Sequence, residues 1–368
     1  MKNSVCIYVH WPWCSSICSY CDYYKFKLKD IKSADLLNCY IRDLCFLDKY
    51  LRDKDIISIN IGGGTPSIMD IKLLHNLLEY IYTNYSRKKK IEVSIEVNPE
   101  DLNKNKLLEY RKMQINRISI GVQSFSDKIL KWLNRNHSKE IALDSIFKTS
   151  KYFNNVSVDL IYGTPFSNKL IFRKDLMLVR ELPTKHISFY EFDLKKHSIK
   201  PKYVSDVSFF LERKAMLEEK NFIWYETNSF AAKGFESIYN KSVMSMKNYL
   251  GIGPSAHSRI VSNKSCSSIY NTKDIKKWLN PKTYCYSEKK LTKKEMLIEF
   301  FLVGFEKTEG VRIVEIESML KCKLRNYINM ENIDVLEKGN FLIQSSGRLS
   351  LTIKGKMLLH NVISKLLI

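Results

Sequence analysis

The segment Cys14-Ser-Ser-Ile-Cys18-Ser-Tyr-Cys21 places three cysteines within eight positions, directly after a short apolar run from Val5 to Val9. Thiolates are soft ligands, and a site made only of cysteines is typical of an iron–sulfur cluster. The usual cubane cluster takes four cysteines, so a set of three leaves one iron open to a ligand from outside the protein. The spacing therefore predicts an iron–sulfur centre that takes part in chemistry as well as storing electrons.

Two other interpretations of these cysteines stay open at this point. Cysteine is among the most buried residue types, so the three could be ordinary packing residues. They could also form half of a zinc site, although structural zinc normally takes four ligands from two C-x2-C pairs, and the sequence has no second pair. The remaining six cysteines follow no pairing pattern and are interpreted as ordinary reduced residues: Cys6, Cys39, Cys45, Cys266, Cys285 and Cys322.

The composition narrows the class of protein. Of the 368 residues, 45% are hydrophobic, which is enough for one large α/β domain and a small second one. Nothing resembles a signal peptide, and no apolar run approaches the roughly eighteen residues that span a membrane. Nine cysteines without a secretory signal predict a reducing cytoplasm.

The net charge of +21 would suit a nucleic acid or another anionic partner. The lysines are spread along the chain, however, and aromatic residues are not interleaved with them in any repeating way. We therefore expect a solvated basic surface and no nucleic-acid partner. An anionic small molecule, such as a propionate-bearing porphyrin, would still suit this charge.

The first half of the chain alternates between strand and helix patterns. Such alternation predicts a parallel sheet with right-handed crossovers. The intervening helices are indicated by apolar residues at helical spacing, as in Leu37, Ile41 and Leu44. The predicted strands are Val5–His10, Ile56–Ile61, Ile91–Val97, Arg117–Val122, Val156–Ile161 and His186–Phe192.

The last eighty or so residues have a different pattern. An apolar helix is predicted over Met296–Phe305, and two short helical patterns follow it. An alternating hairpin then runs over 341–352, and a closing helix is predicted over Lys354–Leu366. Helices followed by a hairpin resemble a winged-helix-like module, a fold that does not by itself fix a function.

A glycine run, Gly62-Gly63-Gly64-Thr65-Pro66, directly follows the second predicted strand. Glycines at the end of a strand let the backbone approach a ligand closely. The run is neither a P-loop nor a dinucleotide-binding fingerprint, because it lacks the lysine of the first and the third glycine of the second. Taken alone, it is equally consistent with a tight turn.

Four polar residues stand at or beyond strand ends, where the sites of barrels assemble. Glu96 and Gln123 end the third and fourth strands, Asp159 lies in the fifth, and Arg135 lies in a loop. A glutamate at such a rim can accept hydrogen bonds from ribose hydroxyls, and the planar fork of an arginine suits a carboxylate. Taken singly, each is more often a surface or salt-bridge residue.

Together, the motifs from Tyr8-x-His10-x-Pro12-x-Cys14 to Pro165 resemble the radical S-adenosylmethionine (SAM) superfamily. More narrowly, they resemble the branch that contains oxygen-independent coproporphyrinogen III oxidase and the HemW-type haem chaperones. The resemblance implies a partial (β/α)6 TIM-like barrel with a small C-terminal winged-helix-like domain. The implied boundaries are 1–200 for the core barrel, 201–285 for its completion and an accessory segment, and 286–368 for the C-terminal domain.

The resemblance also implies the cofactors and their residues. Cys14, Cys18 and Cys21 would bind a 4Fe-4S cluster whose fourth iron is chelated by SAM, and the glycine run would hold the amino group of SAM. Ala256 and His257 would close over the adenosyl group. The other implied residues of the SAM pocket are Tyr8, Tyr20, Gly63, Gly64, Thr65, Glu96, Gln123, Arg135 and Asp159.

Two features separate the members of this branch. The decarboxylating oxidases carry a further cysteine two residues after the third and a longer N-terminal extension, whereas this chain has Tyr23 and only seven residues before Tyr8. Both features favour the chaperones. The haem-linked motif of the chaperones, His-Asn, two residues and Tyr-Trp, is altered here to Tyr239-Asn-Lys-Ser-Val-Met244. Tyrosine and methionine can ligate haem iron, so Tyr239 and Met244 are candidate substitutes.

The sequence therefore predicts a cytoplasmic radical SAM protein that carries haem to an acceptor protein and takes electrons from a donor, both unidentified. Whether SAM acts on a substrate stays open. The alternative is an oxygen-independent coproporphyrinogen III oxidase of porphyrin biosynthesis. A third hypothesis, a DNA-binding regulator that senses iron through its cluster, rests only on the winged-helix-like pattern and the charge.

Overall fold

The computed structural model describes residues 4–28, 33–85, 90–192, 207–262, 265–280 and 282–368. The strands in these residues, in chain order, are β1 (Ser4–Trp11), β2 (Trp13–Cys14), β3 (Phe26–Lys27), β4 (Asp55–Gly63), β5 (Glu92–Val97), β6 (Arg117–Gln123), β7 (Asn155–Tyr162), β8 (His186–Glu191), β9 (Phe222–Trp224), β10 (Ser229–Ala232), β11 (Asn248–Ile252), β12 (His257–Val261), β13 (Cys266–Asn271), β14 (Tyr286–Lys290), β15 (Val311–Arg312), β16 (Leu342–Ser345) and β17 (Arg348–Leu351).

Helices lie between most of the strands of the first half, and more follow in the second half. The α-helices of the described residues are α1 (Ser33–Leu51), α2 (Ile71–Tyr85), α3 (Lys104–Lys112), α4 (Asp127–Trp132), α5 (Lys139–Ser150), α6 (Lys169–Val179), α7 (Val207–Glu218), α8 (Ile238–Met244), α9 (Ile275–Leu279), α10 (Lys293–Gly304), α11 (Ile313–Leu320), α12 (Met330–Lys338), α13 (Ile353–Met357) and α14 (Leu359–Leu366). Short 3-10 helices cover Pro66–Ile68, Pro99–Asp101 and Leu324–Asn326. Among the described residues, no helix is both long and apolar enough to cross a membrane.

The main sheet has twelve strands, and its centre is parallel. Strands β1, β4, β5, β6, β7 and β8 pair in that order, each parallel to the next. Their central residues are buried on both faces, as expected of a parallel sheet covered by helices. These six strands confirm the predicted ones to within a residue or two. They form the partial (β/α)6 barrel that the sequence predicts.

Both edges of this barrel are extended by strands that the sequence did not predict. On one side β11 pairs with β1 in parallel, and β12, β13 and β14 continue the sheet in antiparallel order. On the other side β10 and β9 pair antiparallel beyond β8. Strands β9 to β11 are only three to five residues long, and β12 to β14 are rich in polar residues, as in Cys266–Asn271 with its two serines, so none carries a long apolar pattern of the kind on which strand prediction depends.

The C-terminal residues form a separate hydrophobic cluster beside the barrel. A small sheet in the order β15-β17-β16 packs with helices α10 to α14, which gives the expected winged-helix-like module. The single closing helix predicted over Lys354–Leu366 is wrong. Thr352 caps α13, and the backbone leaves helical geometry at Leu358 (φ −120°, ψ 32°), so two short helices replace one. The domain boundaries at residues 200 and 285 stay predictions, and residue 200 lies outside the described residues.

Candidate cofactor site

A cavity of about 390 Å³ opens at the carboxyl ends of the parallel strands, the rim where barrel sites assemble. Its size is within the range of small-ligand pockets. The residues that line it are Cys14, Cys18, Tyr20, Cys21, Asp22, Tyr23, Lys25, Gly63, Gly64, Thr65, Pro66, Glu96, Val97, Asn98, Ser119, Gly121, Gln123, Arg135, Asp159, Ile161, Tyr190, Glu191 and Phe192. Below, "the cavity" means this space.

The three cysteines of the motif lie in one loop on the wall of the cavity. The loop is closed at its base by pairing of β2 with β3, in which the Phe26 amide donates to the Pro12 carbonyl at 2.7 Å. His10 adds a second tie, because its Nε2 donates to the carbonyl oxygen of Tyr24 at 2.9 Å. The loop is therefore fixed at both ends while its cysteines face the cavity.

The glycine run lies against this loop. The Gly64 amide donates to the Trp11 carbonyl at 2.6 Å, and a Cβ on Gly64 would stand 3.0 Å from Cys14 Sγ and 2.7 Å from the Trp13 carbonyl oxygen. Gly63 has a φ of +110°, which favours glycine, and its amide donates to Glu96 Oε2 at 3.3 Å. These contacts explain why the run has no side chains at these two positions.

Two carboxylates face the cavity from neighbouring parts of the barrel. Burial, and then the negative charge of Asp159, raise the pKa of Glu96 from 4.5 to about 7. Burial also raises the pKa of Asp159, whose Oδ2 accepts a hydrogen bond from the Ser119 hydroxyl at 2.8 Å. The pair is suited to accept hydrogen bonds from ligand hydroxyls and to face a positively charged ligand.

The other predicted residues on the cavity wall are held by local geometry. Gln123 adopts a left-handed backbone (φ 68°) where the register between β6 and β7 shifts, and this shift turns the end of the strand toward the cavity. Tyr20 packs on a small apolar cluster that includes Ile161 and Phe192. Arg135 donates from Nη2 to Asn98 Oδ1 and to the Gly121 carbonyl, both at 2.8 Å, and its buried Nε has no partner.

Three of the predicted SAM residues do not line the cavity. The Tyr8 hydroxyl donates to His10 Nδ1 at 3.1 Å. Ala256 is buried, and His257 is hydrogen-bonded through Nδ1 to the Tyr249 hydroxyl. Burial lowers the pKa of His257 to about 4, so this imidazole is neutral at pH 7. Their assignment to the SAM pocket stays a prediction.

Several lining residues were not singled out from the sequence. Asn98 directly follows β5, so its position at a strand end was an available signal, whereas Ser119 lies inside β6. Tyr190 and Tyr23 are 43% and 58% exposed, yet the pKa of each is raised, as it would be for a group surrounded by protein. Much of the exposed surface of these two residues therefore faces the cavity. Lys25 had no signal beyond its place four residues after the third cysteine.

The altered haem motif forms helix α8. The Ile238 amide at its start donates to the buried carboxylate of Glu92 at 2.9 Å, which fixes the helix against the barrel. The Tyr239 ring stacks on Tyr8, with centroids 5.9 Å apart. Tyr239 and Met244 are five residues apart, so they project from the helix about 140° apart. They cannot both face one haem, and Tyr239 is already engaged inside the barrel.

Comparison with known proteins agrees with this geometry. A model of the radical SAM superfamily matches residues 8–176. The heme chaperone HemW of Buchnera aphidicola (subsp. Acyrthosiphon pisum) is 28% identical over 378 residues, covering 98% of this chain and 97% of that protein. The heme chaperone HemW of Haemophilus influenzae is 29% identical, covering 97% and 96%.

Among solved structures, the coproporphyrinogen III oxidase HemN of Escherichia coli superimposes with a TM-score of 0.81 at 19% identity, over 99% of this chain and 90% of that one. At this identity the likeness shows a shared fold and no more. The cysteine motif, the barrel and the similarity along nearly the whole chain agree with one another. The chain contains a radical SAM domain and is similar along nearly its whole length to heme chaperones named HemW.

Proposed function

We propose that this chain is a haem chaperone of the radical SAM type, which holds a 4Fe-4S cluster and SAM in the cavity and passes haem to an acceptor protein. The observation that carries the proposal is that three free cysteines line one cavity together with the glycine run and two buried carboxylates. The heme chaperones of Buchnera aphidicola and Haemophilus influenzae match along 97% and 96% of their length, which supports a common role.

The residues present fit this pair of cofactors. A thiol-only donor set suits an iron–sulfur cluster. Among the described residues, no three His, Cys, Asp or Glu side chains converge on one metal ion. A cluster has no such requirement, since each thiolate would bind a different iron. When bound and reduced, the cluster supplies the electron that splits the sulfonium of SAM.

The chain's own residues bind and orient the ligand. The backbone at Gly63 and Gly64 leaves space for the amino-acid end of SAM, because a side chain at either position would collide with the cluster loop or His10. Glu96 and Asp159 lie where they can accept from ribose hydroxyls and offset the positive sulfonium. The apolar cluster under Tyr20 keeps water from this side of the cavity.

Haem binds outside the cavity in this proposal. The cavity of about 390 Å³ is assigned to the cluster and SAM in this proposal, which leaves haem a separate site. The haem acceptor and the electron donor are separate proteins. We place the protein in the cytoplasm because all nine cysteines are free thiols, as a reducing compartment requires.

The test is haem binding and transfer by anaerobically reconstituted protein. We expect saturable, stoichiometric haem binding, and a shift of the haem absorbance when an apoprotein with a vacant haem site is added. Protein that binds cluster and SAM but no haem would contradict the proposal. The oxidase alternative would be supported instead if the same protein released carbon dioxide and deoxyadenosine from coproporphyrinogen III.

A further inference from the structure

A hydrogen-bond donor lies beside each of the three cluster cysteines, and each donor comes from a different part of the chain. One donor is a hydroxyl of the glycine run, one is a guanidinium from the loop after α4, and one is an ammonium from the cysteine loop itself. The three pairs are Thr65 with Cys14, Arg135 with Cys18, and Lys25 with Cys21. Two of the three donors carry a full positive charge.

The ammonium of Lys25 is held in place by backbone carbonyl groups of the cysteine loop. Its Nζ donates to the carbonyl oxygen of Cys21 at 2.5 Å and to that of Tyr23 at 3.3 Å. Lys25 is half-buried and lines the cavity. Because its donors are directed at residues 21 to 23, the charge cannot swing freely into solvent.

The guanidinium of Arg135 is fixed in a similar way. Its Nη2 donates to Asn98 Oδ1 and to the Gly121 carbonyl oxygen, both uncharged acceptors, and Nη1 lies 3.6 Å from Cys18 Sγ. The carbonyl and amide oxygens orient the fork and leave its charge uncompensated by a carboxylate at those contacts. Nη1 is directed at the Cys18 sulfur, and the carboxylate of Glu100 also acts on this guanidinium.

We propose that Lys25, together with Arg135, is a positioning residue that raises the reduction potential of the cluster. This inference rests on the cluster proposed above. Reduction adds one electron from the donor protein, with no bond formed or broken at either residue and both remaining protonated. A fixed positive charge stabilises the more negative, reduced state, and hydrogen bonds to cluster sulfurs are among the factors that set such potentials. A donor of less negative potential then suffices.

The experiment is a redox titration of the full-length, anaerobically reconstituted protein, followed by the electron paramagnetic resonance signal of the reduced cluster. Lys25→Met removes the charge and keeps the chain length. At the potential where the wild-type cluster is half reduced, we expect the ratio of reduced to oxidised cluster to fall about tenfold, equal to about 59 mV for a one-electron couple. Lys25→Arg keeps the charge and should restore the ratio.

Lys27→Met is the matched control, because Lys27 lies on the same loop with an exposed side chain. Its ratio should equal that of the wild type. An unchanged ratio in Lys25→Met, or an equal fall in both methionine variants, would overturn the inference while leaving the proposed function intact. A wild-type protein that forms no cluster would overturn both. The ratio of reduced to oxidised cluster is measured only on protein that holds a cluster, so lower iron uptake by a variant does not change it.

Discussion

The ring of Tyr239 stacks on the ring of Tyr8, with centroids 5.9 Å apart and planes inclined by 27°. Tyr239 also meets Tyr249 edge-on at 6.3 Å. Burial raises the pKa of Tyr239 well above its usual value, so the phenol is neutral at physiological pH. A tyrosine ligates haem iron best as a phenolate, and this one is held as a phenol between two other rings. The structure therefore weighs against Tyr239 as the substitute for the missing histidine.

The first prediction follows from this stack. Tyr239→Phe keeps the ring and removes the hydroxyl, so haem affinity should be unchanged in an absorbance titration. Tyr239→Ala should lower the free energy of unfolding by about 2 kcal/mol, because a large, partly buried ring is lost. If Tyr239→Phe instead abolished haem binding with the cluster intact, the hydroxyl would be the iron ligand and the stack would have to open.

The second prediction concerns the cysteine loop. Cys18→Ala should remove the cluster absorbance near roughly 400 nm that arises from thiolate-to-iron charge transfer. Cys45→Ala is the control, because Cys45 is an exposed free thiol on helix α1 and should leave the spectrum unchanged. A Cys18→Ala protein with the wild-type spectrum would disprove the assignment of this cysteine to the cluster.

Local patterns in the sequence were enough to predict the parallel sheet, and the resemblance to the radical SAM superfamily implied its barrel form. The strands that end at Gly63, Val97 and Gln123 have apolar, β-branched residues at their centres, and each is followed by a helix. Parallel pairing then brings the strand ends to one rim, so the glycine run and Glu96 meet at the cavity, whereas Asp159 lies inside β7 and was assigned by resemblance.

The remainder depends on contacts distant in sequence. Strand β11 is placed by pairing with β1, more than two hundred residues away, and its own pattern is weak. Lys25 faces the cavity because of the path of the cysteine loop, which no local periodicity records. Tyr8 and His257 were assigned to the SAM pocket by resemblance alone; their hydrogen bonds to His10 and Tyr249 do not test that assignment.

The third prediction is a pH dependence of SAM affinity. The pKa of Glu96 is about 7 in the unliganded protein, and the ionised form suits the ribose hydroxyls and the positive sulfonium. If binding requires the ionised form, affinity should rise roughly tenfold from pH 6 to pH 8. Glu96→Gln should weaken binding and flatten this dependence, as measured by calorimetry at several pH values. A slope that persists in Glu96→Gln would assign it to another group.

The same shift predicts a change in stability of the unliganded protein. The pKa of Glu96 is higher in the folded state than its ordinary value of 4.5, so the folded state holds this proton more tightly. The stabilisation is fully present below pH 4.5 and is lost as the pH rises through about 7. The melting temperatures of wild type and Glu96→Gln should therefore change differently with pH between 4.5 and about 7. Parallel plots of melting temperature against pH would contradict the raised pKa.

The last prediction concerns Asp43, a fully buried carboxylate of helix α1 that joins the barrel to its accessory strands. Its Oδ2 accepts from the Gly253 amide at 2.9 Å, from Asn271 Nδ2 at 2.8 Å and from Trp278 Nε1 at 2.9 Å. Asp43→Ala leaves these three buried donors without their acceptor, and each unsatisfied donor costs about 1–3 kcal/mol. We expect the free energy of unfolding in urea to fall by about 3 kcal/mol or more.

Asp144→Ala provides the comparison, because Asp144 forms an exposed ion pair with Lys148 on helix α5. Exposed pairs of this kind contribute less than about 0.5 kcal/mol. The loss at Asp43 should also reach the cofactor site. Gly253 lies against the His10 carbonyl oxygen, which accepts from the Tyr40 hydroxyl at 2.8 Å, and the His10 ring holds the cysteine loop. An Asp43→Ala protein as stable as Asp144→Ala, with full iron content, would show that the accessory strands are held by apolar packing alone.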